Sequence, residues 1–268
     1  MKKNNIFWGS LAGLFLIVIM GGWFWQNNYG QKDGSLADIK KRGVLIVGSD
    51  VPYGVMESFD QNNKIVGIDV DIAQEIASRL GVNLEFNDYS WDQIFPFVKS
   101  GKIDLAMSSV TITPERQKEM LFSNDYFRGG QVIIVRNDNQ EIRGVRDLSD
   151  KKIAVQEGTT GYNEAKKYTS KNLVITYSNF ESSSSDEGII NDLRKSKFEA
   201  IIVDYIQALE LIKKNADLKI VGVPFTQEGY GIVTKIGNNS LMEKINYILQ
   251  KMDEDGTLKN IETKWTAF

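Results

Sequence analysis

The sequence predicts an α/β protein in which strand–helix units follow one another along most of the chain. Three observations carry that expectation. Short β-branched runs such as Val44-Leu45-Ile46-Val47 and Ile201-Ile202-Val203 end in small or polar residues. Between them lie segments with apolar residues at helical spacing, as in Ile72, Ile76 and Leu80. Helix punctuation sits where it should, with Gly81 and Gly101 as stops and Thr113-Pro114-Glu115 as a start. Repeated β–α units predict mainly parallel sheets with helices on both faces, and ligands gather at the carboxyl ends of such strands.

Before the first strand the chain is different. Lys2 and Lys3 precede residues 6–25, twenty residues without a charge, which matches the thickness of a bilayer core. Basic residues on the leading side and Trp23 and Trp25 on the far side predict an uncleaved N-terminal transmembrane anchor with its start in the cytoplasm. A cleaved signal peptide is the alternative; the region is long for one, and Met20-Gly21-Gly22 makes a poor cleavage site. Residues 26–34 are polar and read as a tether. Ser35-Leu36-Ala37-Asp38 then opens a short helix that Gly43 ends. The first 43 residues carry six basic and two acidic groups and the remainder 26 and 33, so an acidic globular part follows a basic cytoplasmic end.

From Val44 the elements come in order. Strand 44–48 closes at Ser49-Asp50, and 64–68 leads into a helix over 69–80. Strand 82–86 is followed by a helix opening at Trp91, with Pro96 tolerated near its first turn. Strand 103–107 delivers Ser108, Ser109, Thr111 and Thr113 to a helix start, where unpaired N–H groups and Arg116 favour a carboxylate. An ordinary strand–turn–helix with a surface arginine explains the same spacing. Strand 152–156 ends at Gln156 and runs through Gly158-Thr159-Thr160-Gly161 into a helix, a second end fit for an anion, or a plain βα turn. Strand 199–203 ends at Asp204, which taken alone reads as the N-cap of a helix over 205–213. Ser182–Ser185 reads as solvated spacer.

Composition narrows the chemistry. The 268 residues are 42% hydrophobic and 25% charged, ordinary globular material. There is no His and no Cys, which removes zinc sites, Ser-His and Cys-His nucleophile pairs, disulfides and a lipid-modified N-terminal cysteine. A net charge of −3 gives no reason to expect nucleic acid. No cofactor is expected.

The ordered set of short motifs resembles one family. Val47-Gly48-Ser49-Asp50, Val66-Gly67-Ile68-Asp69-Val70-Asp71-Ile72-Ala73, Ser100-Gly101-Lys102-Ile103-Asp104, Thr111-Ile112-Thr113-Pro114-Glu115-Arg116, Val155-Gln156-Glu157-Gly158-Thr159-Thr160-Gly161 and Tyr230-Gly231-Ile232 carry it. They resemble the polar amino-acid-binding receptors of ABC importers, solute-binding family 3 with the type II periplasmic-binding-protein fold. The resemblance implies two α/β lobes, each a mainly parallel sheet flanked by helices, joined by two crossing strands near 131–135 and 219–225. It implies a division into an anchor at 1–30, a linker and short helix at 31–43, lobe 1 at 44–130 and 226–268, and lobe 2 at 131–225. It further implies a monomer at the outer face of the cytoplasmic membrane that hands a free L-amino acid to an ABC permease.

By the same resemblance, the site comprises Asp50, Tyr53, Trp91, Ser108, Ser109, Thr111, Arg116, Gln156, Thr159, Thr160 and Asp204. Arg116 and N–H groups near Thr111, Thr159 and Thr160 would hold the α-carboxylate, and Asp204 the α-ammonium. Tyr53 and Trp91 would flank the side chain, and Asp50 would meet its distal end. An acceptor-only carboxylate there favours a cationic side chain, arginine or lysine, with glutamine or histidine next. Two departures stand out: Gly54-Val55-Met56-Glu57 replaces the family's paired prolines before Phe-Glu, and Ser196-Lys197-Phe198-Glu199 its Gly-Arg-Val-Asp. Two other functions compete. A cyclohexadienyl or arogenate dehydratase on this scaffold needs a positioned acid, for which Glu157 is the candidate, though beside Gly158 it also reads as a turn residue. A sensor ectodomain would carry a cytoplasmic signalling domain, and five residues precede the apolar segment.

Overall fold

The computed structural model describes residues 33–178 and 188–266. The expected anchor at 6–25 and the serine patch at 182–185 lie outside the described residues. Among the described residues no helix is long and apolar enough to cross a membrane.

Two five-stranded sheets form two α/β lobes. The first contains β1 (Val44–Ser49), β4 (Asn83–Asp88), β5 (Leu105–Ala106), β6 (Met120–Gly129) and β12 (Glu228–Lys235), in the order β4-β1-β5-β12-β6. The second contains β7 (Gln131–Arg136), β8 (Ile153–Gln156), β9 (Val174–Tyr177), β10 (Ala200–Asp204) and β11 (Leu218–Val221), in the order β11-β7-β10-β8-β9. A small hairpin, β2 (Ser58–Phe59) with β3 (Ile65–Val66), stands apart from both.

The sheets are mixed, which corrects the expectation of mainly parallel ones. β1 runs parallel to β4 and β5, and β8 parallel to β9 and β10. β12 is antiparallel to β5 and β6, and β7 to β10 and β11. Helical crossovers generate only parallel neighbours. The antiparallel members are the strands through which the chain leaves one sheet and enters the other, with no helix between.

The crossings also differ from expectation. Residues 131–135 do not span the lobes; they belong to β7, inside the second sheet. The chain changes lobe at Gly130, between β6 and β7, and returns through 222–227, between β11 and β12. A side chain at Gly130 would put its Cβ 2.3 Å from the Thr226 carbonyl oxygen, so the two crossings approach as closely as bare backbone allows.

Helices cover the sheet faces. They are α1 (Ser35–Arg42), α2 (Ile68–Leu80), α3 (Trp91–Ser100), α4 (Pro114–Gln117), α5 (Thr160–Tyr168), α6 (Ile189–Arg194), α7 (Tyr205–Lys214), α8 (Asn239–Glu254) and α9 (Thr257–Thr266). The four-residue spacing in α2 places Ile72, Ile76 and Leu80 against Leu45 and Val47 of β1 and Ile245 and Met252 of α8. The opposite sheet face packs on Ile94 and Val98 of α3. In the second lobe β7 alternates cleanly: Val132 and Ile134 enter one core and Ile133 and Val135 the other. Strands buried on both faces are apolar throughout, which is why they read as unbroken β-branched runs. Pro96 is the sixth residue of α3, inside the helix and beyond the first turn where it was expected.

Candidate ligand-binding site

The carboxyl ends of β1 and β5 in one lobe meet those of β8 and β10 in the other. Around that junction Asp50, Tyr53, Trp91, Ser108, Ser109, Thr111, Arg116, Gln156, Thr159, Thr160 and Asp204 line a single cavity of about 340 Å³, part of it open to solvent. The structure thus brings all eleven sequence-derived candidates together.

Arg116 is the cation of the site. Its helix, α4, is a single turn of four residues, so the expected helix N-terminal anion site is not built here. Thr113 instead caps the turn by accepting the Arg116 amide at 3.2 Å, which aims the side chain back toward β5. The guanidinium donates from Nη1 to the Thr111 carbonyl at 2.9 Å and from Nη2 to the Gly158 carbonyl at 3.1 Å. Its centre lies 5.3 Å from the Trp91 ring and 5.5 Å from Phe95. Contacts of this kind contribute ~0.5–2 kcal/mol. Among the described residues it makes no carboxylate ion pair, and burial pulls its pKa below the ordinary arginine value, opposed by the charges of Glu228 and Asp204. A desolvated guanidinium bonded only to carbonyls retains donors for an anion. Gly158 faces Trp91: with φ of +75° and a would-be Cβ 3.2 Å from the indole nitrogen, a side chain here would be strained and would press on the indole.

Asp204 is the facing acid. It occupies the N-cap position of α7, but its side chain makes no capping bond, which corrects the N-cap reading. The carboxylate turns into the cavity, accepting from the Tyr53 hydroxyl and, at 2.6 Å, from Gln131 Nε2. Burial and then the charge of Glu228 push Asp204 up to about 7, against the hydrogen bonds and the Arg116 charge that lower it. Tyr53 therefore meets Asp204 with its hydroxyl as well as lining the cavity with its ring. Burial and the Asp204 charge push the Tyr53 phenol well above its ordinary value, so it remains a donor.

Asp50 and Gln156 lie at the other end. Gln156 Nε2 donates to Asp50 Oδ2 at 3.3 Å and to the Ser178 carbonyl at 3.2 Å, so this amide presents its nitrogen to Asp50. The Asp50 amide donates to Ser108 Oγ at 3.0 Å, and Ser108 Oγ donates to Glu57 Oε1 at 3.1 Å. Ser109 takes a left-handed φ of 50°, held by its amide donating to Asp69 Oδ2 at 3.0 Å. Glu57 thus points inward, beneath the serine turn. Burial, then the Asp69 charge, pushes Glu57 well up, and burial raises Asp69 to about 6.

Sequence reasoning missed Glu228 and Gln131. Glu228 is buried and collects hydroxyl donors from Thr111 at 2.6 Å, Thr160 at 2.8 Å and Thr226 at 3.0 Å. It sits two residues before the Tyr230-Gly231-Ile232 motif, yet no local pattern marks it, because Thr111 and Thr160 come from distant segments and only Thr226 is near it in the chain. Gln131 reads as the polar start of a strand; only the fold sets it beside Asp204.

A model of the bacterial extracellular solute-binding proteins, family 3, matches residues 45–268. The chain belongs to this family. The family places the solute-binding protein outside the cytoplasm. The L-cystine-binding protein TcyJ of Escherichia coli K12 is 31% identical to it over 268 residues, spanning 99% of this chain and 97% of its own. A mutant of ArgBP from T. maritima superposes with a TM-score of 0.79 at 36% identity, covering 87% of this chain and 100% of that one. An ancestral arginine-binding protein bound to arginine gives 0.77 at 39% identity, covering 84% and 99%. These relatives are binding proteins, and so is this member of their family; it is not an enzyme. Glu157, the acid a dehydratase would need, is exposed and lies outside the cavity lining.

Proposed function

We propose that this solute-binding protein traps a polar, cationic L-amino acid between its lobes and presents it to an ABC permease. One observation carries the reading: Arg116, with no acidic partner among the described residues, and Asp204 face the same cavity. A zwitterion satisfies both. Its α-carboxylate meets Arg116 with Thr159 and Thr160 at the start of α5, and its α-ammonium meets Asp204. Its side chain runs along Trp91 toward Asp50 and Gln156.

The charge balance favours a cation. Among the described residues, Asp50 and Asp204 line the cavity with Arg116, and Glu228 lies close enough for its charge to act on both Arg116 and Asp204. Glu228 is engaged by three hydroxyls, and a zwitterion accounts for Arg116 and Asp204. Asp50, already bonded by Gln156, stands at the distal end of the cavity, where an ammonium or guanidinium suits a carboxylate and a second carboxylate is repelled. The arginine bound to the ancestral relative supports this class. In this proposal the protein works as a monomer, tethered at the outer face of the cytoplasmic membrane by residues 6–25.

A competition assay on the full-length protein in detergent should rank arginine or lysine above leucine and glutamate. Asp50→Asn should erode that preference. Glutamate or leucine binding best would overturn the assignment of Asp50 to the distal group.

A further inference from the structure

Glu228 stands where the two lobes and the two crossings meet. It is the first residue of β12, directly after the 222–227 crossing, and is 8% exposed. Its Oε2 accepts from Thr111, which follows β5 in the first lobe, and from Thr160, which opens α5 in the second. Its Oε1 accepts from Thr226 within its own crossing. The Thr226 hydroxyl in turn accepts the Gln131 amide at 2.7 Å, just beyond the Gly130 crossing. The Gln131 side chain completes the circuit, donating to Thr160 Oγ1 at 3.3 Å and to Asp204 Oδ1 at 2.6 Å. One carboxylate thus bonds both lobes and its own crossing directly, reaches the Gly130 crossing through Thr226, and reaches the proposed ammonium acceptor through a threonine and then Gln131.

We propose that Glu228 is the positioning residue that holds the lobes closed and couples occupation of Asp204 to closure. The inference rests on the amino-acid-binding reading of the same cavity. The bond between Glu228 and Thr160 joins different lobes and exists only when they are together. Separation would leave the carboxylate to lose a charged hydrogen bond at the moment of opening. An ammonium at Asp204 takes over part of the acceptor that Gln131 now engages, so occupation is felt in the same network. Glu228 is needed for retention of the amino acid, and encounter with the open cleft does not involve it. Its loss therefore acts on dissociation.

The test uses the full-length chain in detergent. Stopped-flow fluorescence with L-arginine, read through Trp91, should show dissociation from Glu228→Ala roughly 10- to 100-fold faster than from the native protein. Association should change by less than about threefold, because affinity changes at one interface fall mostly on the off-rate. Glu228→Gln keeps an acceptor oxygen and the side-chain shape and should fall between the two. A measurement without amino acid guards against the case in which arginine is not the ligand. The chain has no cysteine, so Gln61→Cys in the first lobe and Asn172→Cys in the second can carry one spin label each. Glu228→Ala, and to a lesser degree Glu228→Gln, should move the unliganded distance distribution away from the native one. Failure of the native protein to bind arginine would count against the amino-acid reading alone. Unchanged distance distributions in both variants, or arginine dissociation within twofold of native, would overturn the role given to Glu228.

Discussion

Asp204 makes binding depend on pH in a direction that can be worked out. Burial and the Glu228 charge set its carboxyl near 7 in the unliganded cavity. An α-ammonium alongside favours the ionised form, so the bound state holds this proton less tightly. Below about pH 7 the amino acid must therefore displace a proton in order to bind. One displaced proton weakens apparent affinity tenfold per unit, or about a hundredfold between pH 7 and pH 5, equivalent to ~2.7 kcal/mol. Above about pH 8 the dependence should flatten. Calorimetry with L-arginine at pH 5, 6, 7 and 8, in two buffers of different ionisation enthalpy, measures both the affinity and the proton released. Asp69, near 6 in the adjoining core, titrates over part of the same range, so an Asp204→Asn variant is needed to isolate the effect. That variant should bind about a hundredfold to several-thousandfold more weakly at pH 8, and the gap should narrow toward pH 5. The linked effect on the unliganded fold has the opposite sense. The raised pKa means the unfolded chain gives up the proton first, so this contribution to stability is full below about pH 4 and is lost as pH rises through 7. Equal affinity at pH 5 and 8, with no proton released at pH 6, would refute the reasoning.

Arg116→Ala removes the guanidinium that the α-carboxylate is proposed to meet and should cost ~3–5 kcal/mol of binding, measured by calorimetry. Saturating amino acid should shrink the radius of gyration measured by solution scattering if the lobes open and close, and proven binding without compaction would count against closure. Mass spectrometry of the membrane fraction should recover residues 21–29 as one intact stretch; a mature terminus near Gln26 in the soluble fraction would mean that 6–25 is a signal peptide.

Much of the fold was legible because its cores are periodic. The spacing of Ile72, Ile76 and Leu80 dictated the inward face of α2, and the β-branched run at 131–135 dictated a buried strand. What the run could not reveal was its neighbours. Strand direction is decided by how the chain returns, and the return at 222–227 carries no pattern, so the sheets were expected parallel and are mixed. The site followed the same division. Arg116, Asp204 and the small residues around them stand at strand ends, where topology gathers ligands, so motif order sufficed to collect them. The acids packed beneath the site were not marked as such. Glu57 and Asp69 were written in the sequence as ordinary acids, and only burial under the Ser108–Ser109 turn turns them into a pair with raised pKa values. Asp204 has the shape of an N-cap in sequence and the bonds of a ligand acceptor in space, because Tyr53 and Gln131 compete for it from segments far away in the chain.

The two links between the lobes are unequal, and that inequality has a mechanical meaning. One is a single residue, Gly130, between two strands locked into different sheets; the other is six residues long, 222–227, with Val223 at its tip 77% exposed. A one-residue joint has two soft torsions and no slack, whereas a strap of six can pay out length from many. A rotation of one lobe against the other would be most constrained at Gly130, and the long link, tied beside it where the Phe225 amide donates to the Gln131 carbonyl and Thr226 Oγ1 accepts the Gln131 amide, would adjust along its remaining length. Torque applied by a bound amino acid is delivered at the short link, and tolerance to insertion belongs to the long one.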